Sequence, residues 1–323
     1  MKQTTADTDA STTESSWLTP TRALWAAAGT FLVLGVMITI ARPASAPDDL
    51  SVLAAVVLGL VEGLTEYLPV SSTGHLLVTN ELLGLGGTES ADEALDAYAI
   101  IIQSGAILAV VVLYWNRLTQ MLAGLFGRDE EGRTVLIGAL VAFMPAAVLG
   151  VLFDEWIEEQ LFSPTTIAFA WFVGGVIVIW LSRTGRIRQA GQSLSEITIR
   201  QALIIGFVQC IAMMPGTSRS LVTILAAVLV GLSLAAAVEF SFILGLGTLL
   251  GATVYKGAQS GELVIDTFGW GTPIIGIVVA FVSAVAAVRW MVGWLQQQGF
   301  EMFGWYRLVI GVLAFAAIGA GWL

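Results

Sequence analysis

The sequence predicts an all-α polytopic membrane protein. It is expected to consist of inverted-topology repeats, each with a re-entrant broken-helix hairpin, plus an extra N-terminal apolar segment. Three observations predict this fold. Of 323 residues, 57% are hydrophobic and only 12% are charged, against roughly 25% charged in a soluble globular chain. Apolar runs of spanning length are separated by loops that alternate between arginine-bearing and arginine-free. Two further apolar stretches are each interrupted near their middle by Pro69 or Pro215 and a cluster of hydroxyl residues. The formal net charge of −10 comes from the polar N-terminus and certain loops, and it argues against a nucleic-acid partner. A single cysteine, Cys210, excludes an intramolecular disulfide and reads as a small buried hydrophobe.

Taken in order, residues 1–21 are rich in Thr, Ser, Asp and Glu without apolar periodicity and are expected to be a disordered polar tail. Residues 22–46 hold an apolar run at 24–40, followed by Ala44-Ser45-Ala46, which has the form of a signal-peptidase site. This segment is either an extra transmembrane span or a signal segment. The long polar stretch ahead of it favours a span. The main domain is expected to cover 50–323, with one repeat at about 50–181 and the second at about 197–323.

Within the first repeat, 50–83 forms a hairpin whose two arms are each too short to cross a bilayer comfortably. Spans follow at 97–115, 134–153 and 166–181, separated by loops at 84–96, 116–133 and 154–162. The second repeat opens with a hairpin at 199–232 and continues with spans at 235–255, 273–295 and 305–322, with a loop at 257–270. Arginines fall in 116–133 and 182–200, so those loops are assigned to the cytoplasm and 84–96 and 154–162 to the outside. On this assignment the first hairpin enters from outside and the second from inside.

The richest stretch is 61–76, VEGLTEYLPVSSTGHL. Glu62 and Glu66 are four apart, so on a helix they share a face about 6 Å apart along the axis. Pro69 ends that helix. Ser71, Ser72, Thr73 and Gly74 then have the composition of a new helix start, which would aim free N–H groups at an anion. His75, the only histidine, lies three residues beyond Ser72.

The two hairpins also resemble one another. Gly59-Leu60-Val61-Glu62 matches Gly206-Phe207-Val208-Gln209, and both stretches run on to a proline and then to serines. That match tolerates a one-residue shift. Opposite entry sides with broken helices meeting near the midplane are the pattern of inverted repeats. Arg219, between Ser218 and Ser220, would add a planar guanidinium suited to phosphate. Glu62, Glu66 and Arg219 in apolar segments cost on the order of 3 kcal/mol each. One shared, water-accessible cavity with an anionic ligand would compensate.

At EGLTEYLPVSSTGH (62–75) and PGTSRSLVT (215–223) the chain resembles the bacterial undecaprenyl-diphosphate phosphatase family of integral membrane proteins. Supporting matches are Gln103 with Gly105, Glu239-Phe240-Ser241-Phe242 and Tyr306-Arg307, and the resemblance covers about 50–320. It implies hydrolysis of a polyprenyl diphosphate lipid to the monophosphate and inorganic phosphate, which recycles the carrier for envelope polymers. It also implies a multi-pass protein of the bacterial plasma (inner) membrane, with the lipid bilayer as its surroundings and a site facing the external side. A divalent cation, Mg²⁺ or Ca²⁺, and bacitracin resistance belong to the same implication. A homodimer is left open.

Carried onto this chain, the resemblance makes Glu62 and Glu66 the acidic pair and the metal ligands, Ser71 and Ser72 the serines of the first tip, and His75 its histidine. Ser218, Arg219, Ser220 and Thr223 match the second tip. Leu221 departs from a usual glycine and is expected to crowd the second helix start. Val222 stands where a small residue is usual, and a proline is usual near Gly247.

For the chemistry, Glu62, Glu66, Ser72, His75 and Arg219 are the expected catalytic residues. Ser71, Thr73, Gln103, Ser218, Ser220 and Thr223 are the expected substrate contacts. Ser72 is favoured over water as nucleophile, with His75 as base or proton shuttle; direct attack by His75 stays open. Thr223 has the alternative of bonding a backbone carbonyl within its own helix. Gln103, Glu239 and Arg307 divide between site and helix-packing roles. The rival function is a polyprenyl-phosphate flippase, which needs the same anion cradle but no nucleophile.

Overall fold

The structure is a computed structural model that describes residues 50–323. The expectations for 1–21 and 22–46 therefore lie outside the described residues. Among those described, there are eleven α-helices and no strand beyond an isolated bridge between Gln192 and Leu232. In chain order they are α1 (Val52–Thr65), α2 (Ser72–Leu83), α3 (Glu89–Leu113), α4 (Trp115–Leu125), α5 (Glu130–Leu161) and α6 (Pro164–Arg183). Then come α7 (Ile199–Gln209), α8 (Arg219–Leu229), α9 (Leu234–Phe268), α10 (Gly271–Gln298) and α11 (Glu301–Gly319). Six of them, α3, α5, α6, α9, α10 and α11, contain stretches long and apolar enough to cross a membrane. The arms α1, α7 and α8 are apolar but shorter. The chain is an all-α polytopic membrane protein.

The first arm of each hairpin is started by a side-chain cap. Ser51 accepts from the Ala54 N–H at 3.1 Å to open α1. Thr198 and Gln201 form a reciprocal capping box at the start of α7. The arms then bury themselves crosswise: α1 lies against α10, and α7 lies against α5. Close backbone approach makes this fit. A Cβ on Gly59 would come within 2.6 Å of the Gly276 carbonyl oxygen, and one on Gly206 within 2.5 Å of that of Ala142. Small residues at helix contacts are what drives association where lipid replaces water, because packing then supplies the attraction. The pairs α3–α9 and α6–α11 complete the bundle.

Several loops expected from charge turn out to be helical. α5 runs through 154–161 and α9 through 257–268, beyond their apolar stretches. Most of 84–96 belongs to α3, which starts at Glu89 with Thr88 as cap. The stretch 116–133 holds most of α4, an amphipathic helix that buries Met121 and Gly124 and exposes Trp115, Leu122 and Leu125. Acidic residues mark the water boundary, but they do not break a helix. The ends are set by caps and turns instead. Asp129 accepts from the Gly132 N–H at 2.7 Å where α5 begins, and Gly269, at φ 70°, closes α9.

Candidate functional site

Both hairpin tips are built on the same strained residue. Ser71 (φ 75°) and Ser218 (φ 73°) are the only non-glycine residues with positive φ among those described. That conformation costs of order 1–3 kcal/mol in each case. Each serine directly precedes a helix, α2 or α8, and the two stand 147 residues apart (218 − 71). The same offset pairs Val52 with Ile199, Gly59 with Gly206, Glu62 with Gln209 and Ser72 with Arg219. The one-residue shift seen in sequence lies in the prolines, since Pro69 precedes its serine by two residues and Pro215 by three.

A network behind the tips holds this geometry. Arg307, fully buried on α11, donates to the Gly216 and Ala170 carbonyls at 2.9 Å each and to Pro69 O at 3.4 Å. Trp171 Nε1 donates to Val70 O at 2.9 Å. Ser220 Oγ crosses between hairpins to Leu68 O at 3.0 Å. Arg307 thus bonds carbonyls from both tips, and of its two expected roles the structure gives it the packing one.

In front of the tips lies a cavity of about 300 Å³. Glu66, Ser71, Ser72, Thr73, Gln103, Gln209, Ser218, Arg219 and Thr248 supply its polar lining, and Met213, Met214, Pro215 and Leu249 much of the rest. The N-termini of α2 and α8 both open onto it. Two helix starts and a guanidinium make the cavity suited to an anion.

At its wall, Ser72 Oγ donates to Glu66 Oε2. The other oxygen of Glu66 accepts from Arg219 Nη2 at 3.1 Å. Arg219 Nη1 is fixed to the Ser241 carbonyl at 3.0 Å, and its guanidinium lies 5.7 Å from the centre of the Tyr67 ring. Gly245 gives the guanidinium room, because a Cβ there would overlap it. One carboxylate therefore joins a first-hairpin hydroxyl to a second-hairpin cation.

Other residues expected at the site face elsewhere. His75 does not pair with Ser72. Its Nδ1 donates to the Ser71 carbonyl at 2.6 Å, and its Nε2 meets Tyr306 Oη at 2.7 Å. Its ring packs edge-on to Trp171 and stacks on Tyr306. The reason is local: α2 starts only at Ser72, so His75 sits a turn in and reaches back to the tip's own backbone. Glu62 is 1% exposed and is not part of the cavity lining, and its Oε1 meets no hydrogen-bond partner among the described residues; it lies behind the wall, close enough to Glu66 and Arg219 to interact with both charges. Ser220 is spent on Leu68. Thr223 donates to the Arg219 carbonyl at 2.7 Å within its own helix and meets Ser241 Oγ at 2.6 Å, also away from the cavity. Glu239 pairs with Arg117 at 2.5 Å, near the start of α9, and does not line the cavity.

Leu221 does not crowd the helix start. It is buried, and its N–H donates to Ser218 Oγ at 3.3 Å. Gln209 is the lining residue that sequence reasoning passed over, although the 147-residue offset pairs it with Glu62. Among the described residues, no three His, Cys, Asp or Glu side chains gather as a metal cluster. Glu66 is the carboxylate that reaches the cavity, with hydroxyls and the Gln103 amide beside it. That is an oxygen-donor set for a hard cation which leaves most positions to ligand and water.

Fold and site together define a polytopic helical membrane protein with a partly open cavity at two hairpin tips, a hydroxyl–carboxylate–guanidinium chain at its wall. Comparison with known sequences gives the family. Residues 55–313 match the model described as bacitracin resistance protein BacA, and the chain belongs to that family. It is 43% identical over 271 residues to a Pseudomonas putida protein named undecaprenyl-diphosphatase, covering 83% of this chain and 95% of that one. It is 37% identical over 275 residues to undecaprenyl-diphosphatase 1 of Acinetobacter baylyi, covering 85% and 98% respectively. A third relative, undecaprenyl-diphosphatase 2 of Rhodospirillum rubrum, is 40% identical over 277 residues, 85% of this chain and 97% of that protein.

Proposed function

We propose that this chain hydrolyses undecaprenyl diphosphate to undecaprenyl phosphate and inorganic phosphate, recycling the lipid carrier for cell-wall synthesis. The observation that carries the reading is Ser72, a hydroxyl hydrogen-bonded to a carboxylate on the wall of an anion cavity. The names of the relatives support the substrate. The diphosphate enters with its charged end between the two helix starts. Arg219 exchanges part of its bond to Glu66 for a phosphate oxygen, which frees Glu66 to take the Ser72 proton. Ser72 Oγ attacks the terminal phosphorus in line. The bridging P–O bond breaks, and its electron pair leaves with undecaprenyl phosphate. Water then attacks the phosphoserine, Glu66 returns its proton to Ser72 Oγ, and phosphate departs. The helix N-termini at the cavity meet charge as it develops on the transferring group without needing to reorganise, and Arg219 needs only to shift part of its bond from Glu66.

Glu66, with Gln103 and the nearby hydroxyls, would hold Mg²⁺ or Ca²⁺ together with phosphate oxygens; bound there, the cation would neutralise diphosphate charge. His75 and Arg307 hold the tips from behind. We read the protein as residing in the plasma (inner) membrane, with hairpins from opposite leaflets as inverted repeats and the site open to the external side. A homodimer is compatible with this reading. Purified protein in detergent is expected to release phosphate from undecaprenyl diphosphate. EDTA is expected to slow release by about tenfold or more, and added Mg²⁺ or Ca²⁺ to restore it. A wild-type preparation that binds the lipid but releases no phosphate would overturn the reading in favour of a flippase.

A further inference from the structure

Gln209 is a polar lining residue to which the mechanism above gives no task, and unlike Ser218 and Thr248 it has no hydrogen-bond partner among the described residues. It ends α7, just before the chain tightens into the 3-10 turn Cys210–Met213. It is 3% exposed and lines the cavity along with Glu66 and Arg219. Neither its Nε2 nor its Oε1 meets a hydrogen-bond partner among the described residues. A buried amide without partners carries the full cost of its desolvation. Polar side chains kept for packing are normally satisfied by protein, as Thr223 and Ser220 are here. The amide's position in the hairpin is that of Glu62 in the other, so the two repeats carry an acid and its neutral isostere at matched places. The amide lines the cavity, whereas the acid is buried behind its wall, beside Glu66 and Arg219. A neutral amide can donate two N–H groups to phosphate oxygens and accept from a protonated one, whereas a carboxylate there would repel the anion.

We propose that Gln209 binds the phosphoryl oxygens of the diphosphate substrate, its Nε2 donating to them, as the second hairpin's neutral complement to Arg219. The proposal rests on the reading that the cavity takes a diphosphate. It assigns to α7 a direct part in substrate recognition. It also accounts for an amide at the place where the partner hairpin carries a carboxylate.

The test uses full-length protein in detergent, with Gln209→Met and Gln209→Glu compared with wild type. KM and kcat for undecaprenyl diphosphate, inhibition by inorganic pyrophosphate and thermal unfolding are measured for each. Loss of one hydrogen bond to a charged group predicts that Gln209→Met raises KM and the pyrophosphate inhibition constant by about tenfold. Its kcat should stay within about threefold of wild type and its unfolding temperature at or above it, since the lost amide had no protein partner. Gln209→Glu, of the same shape, should raise both constants further. Unchanged constants in Gln209→Met overturn the proposal. So does a fall in unfolding temperature with loss of the folded transition in both variants, which would make Gln209 a packing residue. If wild type releases no phosphate yet pyrophosphate binding still weakens in the variants, the hydrolase reading fails and the assignment of Gln209 stands.

Discussion

The first and second hairpins share a plan down to the left-handed serine at each tip, yet they bring different chemistry to the cavity between them. The first supplies Ser72 and Glu66, a hydroxyl and the carboxylate that accepts its hydrogen bond. The second supplies Arg219 at the position of Ser72 and Gln209 at the position of Glu62. The backbone geometry is alike in both, while in the proposed reaction the side chains divide into a reacting half and a charge-binding half. On the proposed reading, the difference lets two hairpins of like backbone serve an asymmetric reaction. Two helix N-termini suit any anion, but attack on phosphorus needs one nucleophile with a cation opposite.

If the division holds, substitutions should sort by hairpin. Ser72→Ala should have the largest effect, a fall in kcat of at least about a thousandfold, because no other hydroxyl in the first hairpin is bonded to Glu66. Arg219→Lys comes next, at about a hundredfold in kcat/KM in the phosphate-release assay. A single ammonium cannot span Glu66 and the Ser241 carbonyl as the planar fork does. His75→Gln should cost about tenfold, with a lower unfolding temperature and an unshifted pH profile, since His75 acts through the Ser71 carbonyl. A shifted pH profile in that variant would return His75 to the chemistry. Thr223→Val should have the smallest effect, about 1 kcal/mol of stability by thermal denaturation with activity within a few-fold, because its hydroxyl bonds its own helix and Ser241.

Much of this was legible in the sequence, for energetic reasons. Glu62, Glu66 and Arg219 are expensive in apolar segments, and a shared site offsets that cost, so the Glu66–Arg219 pairing is legible before any geometry, with Glu62 close behind it. A spacing of three suggests that His75 shares a helix face with Ser72, whereas in the structure it bonds the Ser71 carbonyl. The spacing does not reveal that the helix starts at Ser72, which leaves the imidazole to bond the tip from behind. The one-residue shift that the sequence match tolerates is resolved by the strained serines, which share the 147-residue offset of the glycines, while the prolines do not. Gln209 drew no attention because a neutral amide in an apolar run costs less than a charge and reads as packing. The ends of α5 and α9 were placed too early because charge was taken for the end of the helix.

The most direct test is to quench the enzyme with acid during turnover of undecaprenyl diphosphate and look for phosphate on the peptide that carries Ser72. The account predicts a phosphoryl group on Ser72, absent from Ser72→Ala, which would also release no phosphate above background. Ser72→Ala releasing phosphate at close to the wild-type rate, with no phosphorylated residue in either protein, would contradict it.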